Sequence, residues 1–205
     1  KAIEAGKHRD YQSAISYLEI VAGETDRFPH AFLYLGRSYH ALGRYGEALR
    51  MLRYFTELSP DSSAGYFFAG RTCLALGNYA KAALFLKEAV RRQPGFPTAK
   101  GLLGTAFLRM KKPEIAVRYL EEASREEPGN AAIRTAYLNA LFILGIRRFQ
   151  QGLLEESKQL LEFILSEGFD NLLVRLHLGI IERELGNNGT ALRHYEESLK
   201  YIPDD

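Results

Sequence analysis

Residues 29–62 alternate between apolar and polar positions with the spacing of three or four that is typical of an amphipathic helix. The apolar positions are Phe32, Leu35, Tyr39, Tyr45, Leu52 and Phe55. The stretch 40–44 lies between the two halves, and its Gly43 can adopt the left-handed conformation that ends many helices. The pattern therefore predicts two helices of about 13 residues each, joined by a tight turn.

This helix pair recurs along the chain with a constant period. A small residue returns every 34 residues, with one insertion of seven after the fourth position. These positions are Ala14, Ala48, Ala82, Ala116, Ser157 and Ala191. A period of this size is typical of a solenoid, in which each unit buries its apolar face only against its neighbours. The sequence therefore predicts an all-α fold.

A Leu-Gly or Ala-Gly pair precedes five of these small residues. The pairs are Leu35-Gly36, Ala69-Gly70, Leu103-Gly104, Leu144-Gly145 and Leu178-Gly179. We expect each glycine to lie where the two helices of its repeat cross and to let their backbones approach. A proline, which cannot continue a helix, ends four of the repeats, and Phe169 stands in its place in the fifth. This combination resembles the tetratricopeptide repeat.

The resemblance covers the whole chain and implies a right-handed α-solenoid, a superhelix of stacked helix-turn-helix units. We expect residues 1–205 to form a single array. Its predicted units are 1–28, which keeps only a second helix, then 29–62, 63–96, 97–130, 131–171 and 172–205. The chain opens at Lys1 in what resembles the end of a helix. We therefore expect further residues upstream in the full protein and assign no compartment.

The seven-residue insertion falls in the fifth unit. No helix-breaking residue interrupts the apolar pattern between Ala131 and Gly152. The pattern predicts one long helix over about 131–150, extended by two turns at its N-terminal end. Such an extension either shifts the stacking, supplies an additional contact surface or has no functional effect.

Three polar residues occupy positions where the family has apolar or aromatic groups. They are Arg148 in the fifth unit, and Arg175 and Glu182 in the sixth. We expect these units either to pack more loosely or, for the last one, to approach a capping role with a wetter face. Cys73 also replaces an aromatic residue, and we expect it to be a small buried hydrophobic residue.

The resemblance also implies a binding surface, because the first helix of each unit lines the concave wall in this family. The predicted groove residues are Arg37, His40, Phe67, Arg71, Leu74, Leu108, Phe142, Ile146, Phe149, Leu176 and Ile180. Arg37 and Arg71 share one register in adjacent units, so we expect them to form a small cationic step. The remaining wall turns apolar, as expected for a site that binds a peptide or an amphipathic helix.

Composition excludes several other classes of function. The formal net charge of +2 is too small to indicate nucleic-acid binding, and no apolar run is long enough to span a membrane. The basic residues Arg91, Arg92 and Arg109 are placed to complement helix C-termini, with a phosphate-binding surface as the alternative. The five histidines form no H-E-x-x-H metal motif, and the chain has no phosphate loop. We expect no enzyme activity, no catalytic residue, no metal and no cofactor.

The predicted function is therefore a non-catalytic scaffold that recruits another protein through its concave groove. A self-assembly module that uses the same groove for another copy is the first alternative. A targeting or regulatory domain of a larger enzyme is the second. Leu33, Phe67 and Gly101 stand where relatives that hold chaperone tails have a polar carboxylate clamp, so we do not expect that partner.

Overall fold

The computed structural model describes residues 11–24 and 28–202. Within these ranges the chain forms eleven α-helices and no strand, which confirms the predicted all-α class. The helices are α1 Tyr11–Glu24, α2 Pro29–Ala41, α3 Tyr45–Leu58, α4 Ser63–Ala75, α5 Tyr79–Arg92, α6 Pro97–Arg109, α7 Pro113–Glu126, α8 Ala131–Gln150, α9 Leu154–Ser166, α10 Leu172–Glu184 and α11 Asn188–Leu199. The start of the predicted partial unit and Pro203 lie outside the described residues. None of the described helices combines the length and the apolar character needed to cross a bilayer.

Local sequence accounts for where the helices begin. Proline occupies the first helical position of α2, α6 and α7, where its missing N–H costs no hydrogen bond. Asparagine side chains cap three other helices. Asn78 Oδ1 accepts from the backbone N–H of Lys81 at 3.2 Å, and Asn130 and Asn171 accept from the first turns of α8 and α10.

The turns inside the repeats share one backbone conformation. Four of these turns contain a glycine with a φ between 72° and 82°, and the fifth contains Lys111 with a φ of 58°. The glycines are Gly43, Gly77, Gly152 and Gly186. These positions follow the same 34-residue period, again with the single insertion of seven. The left-handed region suits glycine because a Cβ is strained there, so Lys111 keeps the turn at a conformational cost.

The chain divides into two compact units, residues 1–111 and 112–205. In the first unit each helix packs against the next, and the first helices of consecutive repeats, α2, α4 and α6, also contact one another. In the second unit α8 packs against α7 and α9 and also contacts α10, and α10 packs against α9 and α11. The boundary falls after Lys111, within the predicted fourth repeat. The single array over residues 1–205 stays a prediction.

Small residues allow the two helices of a repeat to approach, as predicted. A Cβ built on Gly36 would lie 2.4 Å from Cγ of Leu52, and one on Gly70 would lie 2.6 Å from Cγ of Leu86. Cβ atoms essentially never lie this close to another heavy atom, so a larger residue at these crossings would force Leu52 or Leu86 to shift. The alanines of the 34-residue series that lie in the described ranges are all buried.

In the fifth repeat a serine occupies the position of the buried alanine at the helix crossing. Ser157 is fully buried, and its hydroxyl donates a hydrogen bond to the carbonyl of Gly145 at 2.8 Å. A Cβ on Gly145 would lie 3.3 Å from Leu161, a looser approach than at Gly36. The hydroxyl is therefore tolerated in the core because it has a backbone partner.

The long helix predicted from the insertion is confirmed, since α8 extends from Ala131 to Gln150. Its N-terminal part contacts the C-terminal end of α9. Arg134 donates to the carbonyl of Glu167 at 2.8 Å and pairs with the carboxylate of the same residue at 3.1 Å. The Tyr137 ring lies 6.5 Å from that of Phe163. The additional turns are thus anchored within the second unit.

The three polar substitutions in the last two repeats are all paired. Arg175 donates to both carboxylate oxygens of Asp170, at 2.8 and 2.5 Å. Nε of Arg148 lies 3.3 Å from Oε2 of Glu156. Glu182 is only 2% exposed and contacts Lys158. Glu182 is therefore a buried carboxylate paired with a partly exposed lysine. The looser packing or wetter face expected of the last two repeats stays a prediction.

Candidate functional site

The first-helix face of the first unit presents two exposed arginines, Arg37 on α2 and Arg71 on α4. The guanidinium carbon of Arg37 lies 4.8 Å from the ring centroid of Phe68 and 5.6 Å from that of Tyr34. These rings hold the guanidinium by cation–π attraction, and no other described residue accepts a hydrogen bond from it. Within the described residues, neither Arg37 nor Arg71 forms an ion pair. We call these two side chains the arginine patch.

His40 lies beside this patch and links α2 to α4. Its Nδ1 is 3.0 Å from the hydroxyl of Thr72, which itself donates to the carbonyl of Phe68 at 2.8 Å. Because the Thr72 hydroxyl already donates its hydrogen to Phe68, the Thr72 oxygen accepts a hydrogen bond from the Nδ1–H of His40. Burial lowers the pKa of His40, and the positive charge of Arg71 lowers it further. At neutral pH His40 is therefore uncharged, with Nε2 as its acceptor.

The other predicted groove residues of the first unit are less accessible. Phe67 is only 8% exposed, since its ring packs 5.1 Å from that of Phe68 and 4.8 Å from that of Phe96. Phe67 therefore lies in the interior, and we leave it out of the proposed surface. Leu74 and Leu108 are half-buried.

The second unit contains five of the six residues predicted to form the apolar wall, the sixth being Leu108 of the first unit. All five are half-buried: Phe142, Ile146, Phe149, Leu176 and Ile180. Phe142 and Phe149 pack against the core cluster of this unit. The Phe142 ring also meets His177 edge to face at 5.4 Å. We call these five side chains the apolar patch. It offers shallow apolar surface backed by a packed core.

The aromatic partners of the arginine patch and of the apolar patch were not among the predicted groove residues. Phe68 supports Arg37 across the α2–α4 contact, and His177 covers one edge of Phe142. Phe68 lies three residues before Arg71 on the same helix, so a helical-face argument was available for it. The contact of His177 with Phe142 could not be predicted in this way, because the sequence pattern does not show which side chain of a neighbouring helix lies against Phe142.

In the described part of the chain, little supports a metal site or a nucleophilic residue. No group of three or more potential metal ligands occurs there. Cys73 is buried, as expected, and burial raises the pKa of its thiol, although Lys81 lowers it. A thiol whose pKa is raised is a poor nucleophile at neutral pH.

Comparison with known proteins gives the same fold. YrrB, described as a TPR protein with an unusual peptide-binding site, superposes with a TM-score of 0.69 at 17% identity, over 91% of this chain and 93% of YrrB. MamA from Desulfovibrio magneticus gives 0.63 at 18% identity, over 85% of this chain and 95% of MamA. A tetratricopeptide repeat protein from Parabacteroides merdae gives 0.66 at 14% identity, over 100% of this chain and 78% of that protein. No curated protein sequence matches this one.

Family models agree with the repeat pattern. One model described as tetratricopeptide repeat matches residues 1–50 and 35–97, and a second with the same description matches residues 73–137. The buried Gly36 and Gly70 crossings and the left-handed turns at Gly43, Gly77 and Lys111 lie inside these ranges. The chain belongs to the tetratricopeptide repeat family, whose members are scaffolds for protein interaction.

Proposed function

We propose that this chain binds a peptide or amphipathic helix of another protein on the first-helix faces of its repeats, without catalysis. The observation that carries the proposal is the arginine patch. Arg37 and Arg71 are exposed, Arg37 is held by aromatic rings, and no carboxylate of the described residues neutralises either one. Guanidinium groups bind carboxylates with two parallel hydrogen bonds, so the patch suits an acidic side chain or a terminal carboxylate.

The apolar patch of the second unit supports a ligand that is also partly apolar. Its five residues keep part of their surface in solvent, and exposed apolar surface rimmed by polar residues often marks a binding site. An amphipathic segment presents the required apolar side chains at helical spacing. The apolar patch therefore suits the apolar face of an amphipathic segment, and the arginine patch suits an acidic residue, each within its own unit.

The test selects peptides on the intact protein from a random displayed library and then measures their affinity. We expect peptides that depend on the arginine patch to carry Asp or Glu, and peptides that depend on the apolar patch to carry apolar residues at helical spacing. Arg37→Glu with Arg71→Glu should raise the Kd by about tenfold at low salt, and by less at high salt. Phe142→Ala with Ile146→Ala should weaken binding by more than about 1 kcal/mol.

Arg50→Glu with Arg109→Glu is the matched control, because these arginines are also exposed in the first unit but lie outside the patch. If this control weakens binding as much as the patch variant does, the effect is general electrostatics and the proposal is wrong. Selected peptides that bind the patch variant and the wild type equally would also refute it.

Self-assembly is a second candidate, because α11 exposes Leu192 and Leu199. Sedimentation velocity over a wide concentration range separates the two functions. A mass that rises above 23.2 kDa with concentration supports self-assembly, and a constant mass supports recruitment of another protein. A targeting role within a larger enzyme remains a further prediction from the sequence.

A further inference from the structure

A depression of about 480 Å³ lies in the first unit between the second helices α3 and α5. Leu49 and Arg53 line it from α3, and Lys81, Leu84 and Phe85 line it from α5. Its volume lies within the range of roughly 300–1,000 Å³ that is usual for ligand sites. We call it the second-helix pocket. Arg37 and Arg71, by contrast, belong to first helices.

The walls of the second-helix pocket are mainly apolar. Leu84 is 67% exposed, although its helix α5 packs against both α4 and α6. Leu49 and Phe85 are half-buried and pack against the core cluster around Phe55, so they form a fixed floor. An apolar side chain of a ligand would be covered by these three residues.

Tyr66 of α4 closes the pocket and is held in place by Arg92. The guanidinium carbon of Arg92 lies 3.9 Å from the Tyr66 ring centroid, and the same group donates to the Tyr66 hydroxyl at 3.1 Å. Arg92 also donates to the carbonyl of Pro60. These contacts cover one face of the Tyr66 ring and fix the ring as a wall of the pocket.

The charge around the pocket is positive. Arg53 and Lys81 are exposed at its rim, and neither forms an ion pair within the described residues. The one acidic residue of the lining, Glu88, is already engaged by Arg91 and Arg92. Hydrogen bonds from Arg92 and then Arg91 lower the pKa of Glu88, which keeps this carboxylate ionised and paired. Among the residues that the structure describes, the two cations of the pocket therefore have no paired carboxylate.

We propose that the second-helix pocket is a second protein-binding site, which takes a large apolar side chain of an acidic segment from another protein. The apolar side chain enters between Leu49, Leu84 and Phe85. Flanking carboxylates of the segment pair with Arg53 and Lys81. This site is independent of the arginine patch and of the apolar patch.

The probe is a blocked pentapeptide with one phenylalanine between two pairs of glutamates, titrated into ¹⁵N-labelled protein. We expect a set of amide shifts around the pocket on α3, α4 and α5, and the Kd is measured from these amides separately from any shifts beside the arginine patch. Arg53→Glu with Lys81→Glu should raise the Kd by about tenfold at low salt. Leu84→Ala should raise it by about threefold or more, and because Leu84 is exposed this variant should fold normally.

Two controls keep the result specific. Arg50→Glu with Lys87→Glu makes the same charge change on α3 and α5 at exposed residues outside the pocket lining, and it should alter the Kd by less than about twofold. Arg37→Glu with Arg71→Glu should leave this probe's binding unchanged. A loss of binding there, with the pocket variant unaffected, would move the probe to the arginine patch and refute the pocket.

Three other outcomes refute the proposal. The first is a peptide with lysines in place of the glutamates that binds as tightly as the probe. The second is a probe with alanine in place of phenylalanine that binds equally well, because the apolar walls would then contribute nothing. The third is a ten-nucleotide thymidine strand that shifts the same amides with a lower Kd than the peptide, which would identify the pocket as a nucleic-acid site.

Discussion

Lys158 on α9 and Glu182 on α10 form an ion pair inside the second unit, with Nζ 2.9 Å from Oε1. Glu182 also accepts a hydrogen bond from the side chain of Asn187 at 2.7 Å. Burial raises the pKa of Glu182, but the hydrogen bonds from Lys158 and Asn187 outweigh this effect, so the pKa lies below its usual value. The carboxylate is therefore ionised in the core because both oxygens have partners.

Removing only the lysine should destabilise the protein. Lys158→Ala leaves a buried carboxylate with one partner, and we expect a loss of about 2 kcal/mol in the free energy of unfolding. Lys158 is partly exposed, which keeps the loss below that of a fully buried pair. The double variant Lys158→Met with Glu182→Leu should recover most of this loss, because no charge remains buried. Urea denaturation measures both, and a double variant less stable than Lys158→Ala would contradict the explanation.

His40 should make stability depend on pH. Its pKa is lowered in the folded protein, so between that value and the unfolded value of about 6.5 the unfolded state binds more protons. The stabilisation from neutral His40 is thus present above about pH 6.5 and is lost as the pH falls.

His40→Gln removes this titration and should reduce the decrease in melting temperature between about pH 7.5 and 5.5. His194 keeps the remaining slope, since burial and the charge of Arg175 lower its pKa too. The measurement is a thermal melt of both proteins at each pH. An equal decrease in wild type and variant would show that His40 does not titrate differently on folding.

Lys111 should be replaceable by glycine with a gain in stability. Its φ of 58° lies in the left-handed region, which the equivalent turns fill with glycine. We expect Lys111→Gly to stabilise the protein by about 0.5–1 kcal/mol, because the strain on Cβ is relieved. Gly77→Lys is the reverse change at the same turn position, and it should lower the melting temperature. A fall in melting temperature for Lys111→Gly would mean that the lysine side chain contributes more than its backbone costs.

Gly36 should not tolerate even one methyl group. A Cβ there would lie 2.4 Å from Leu52, so we expect Gly36→Ala to cost about 1–3 kcal/mol through overpacking. Gly46 in α3 is the control, because a Cβ there meets nothing within 4 Å. Gly46→Ala should be neutral or stabilising by up to about 1 kcal/mol, since alanine favours helix. Similar losses for both would point to a general effect of glycine substitution.

The sequence by itself determined the repeat architecture. The 34-residue spacing from Ala48 to Ala82, the glycine at each crossing and the left-handed turns depend on contacts within a repeat or between adjacent repeats. Such contacts are local and periodic, so the one-dimensional pattern records them. The length of α8 was predictable for the same reason, because a helix needs only an uninterrupted apolar period and a cap such as Asn130.

The tertiary structure alone decided which side chains remain available for binding. Phe67 lies at the predicted groove position, yet Phe96 covers its ring. Glu182 forms an ion pair with Lys158 of another helix. The second-helix pocket joins residues of three helices, a combination that the periodic pattern of a single helix does not specify. Burial and pairing depend on how side chains from separate helices fill the same space. The periodic pattern specifies only which face of its helix carries each side chain.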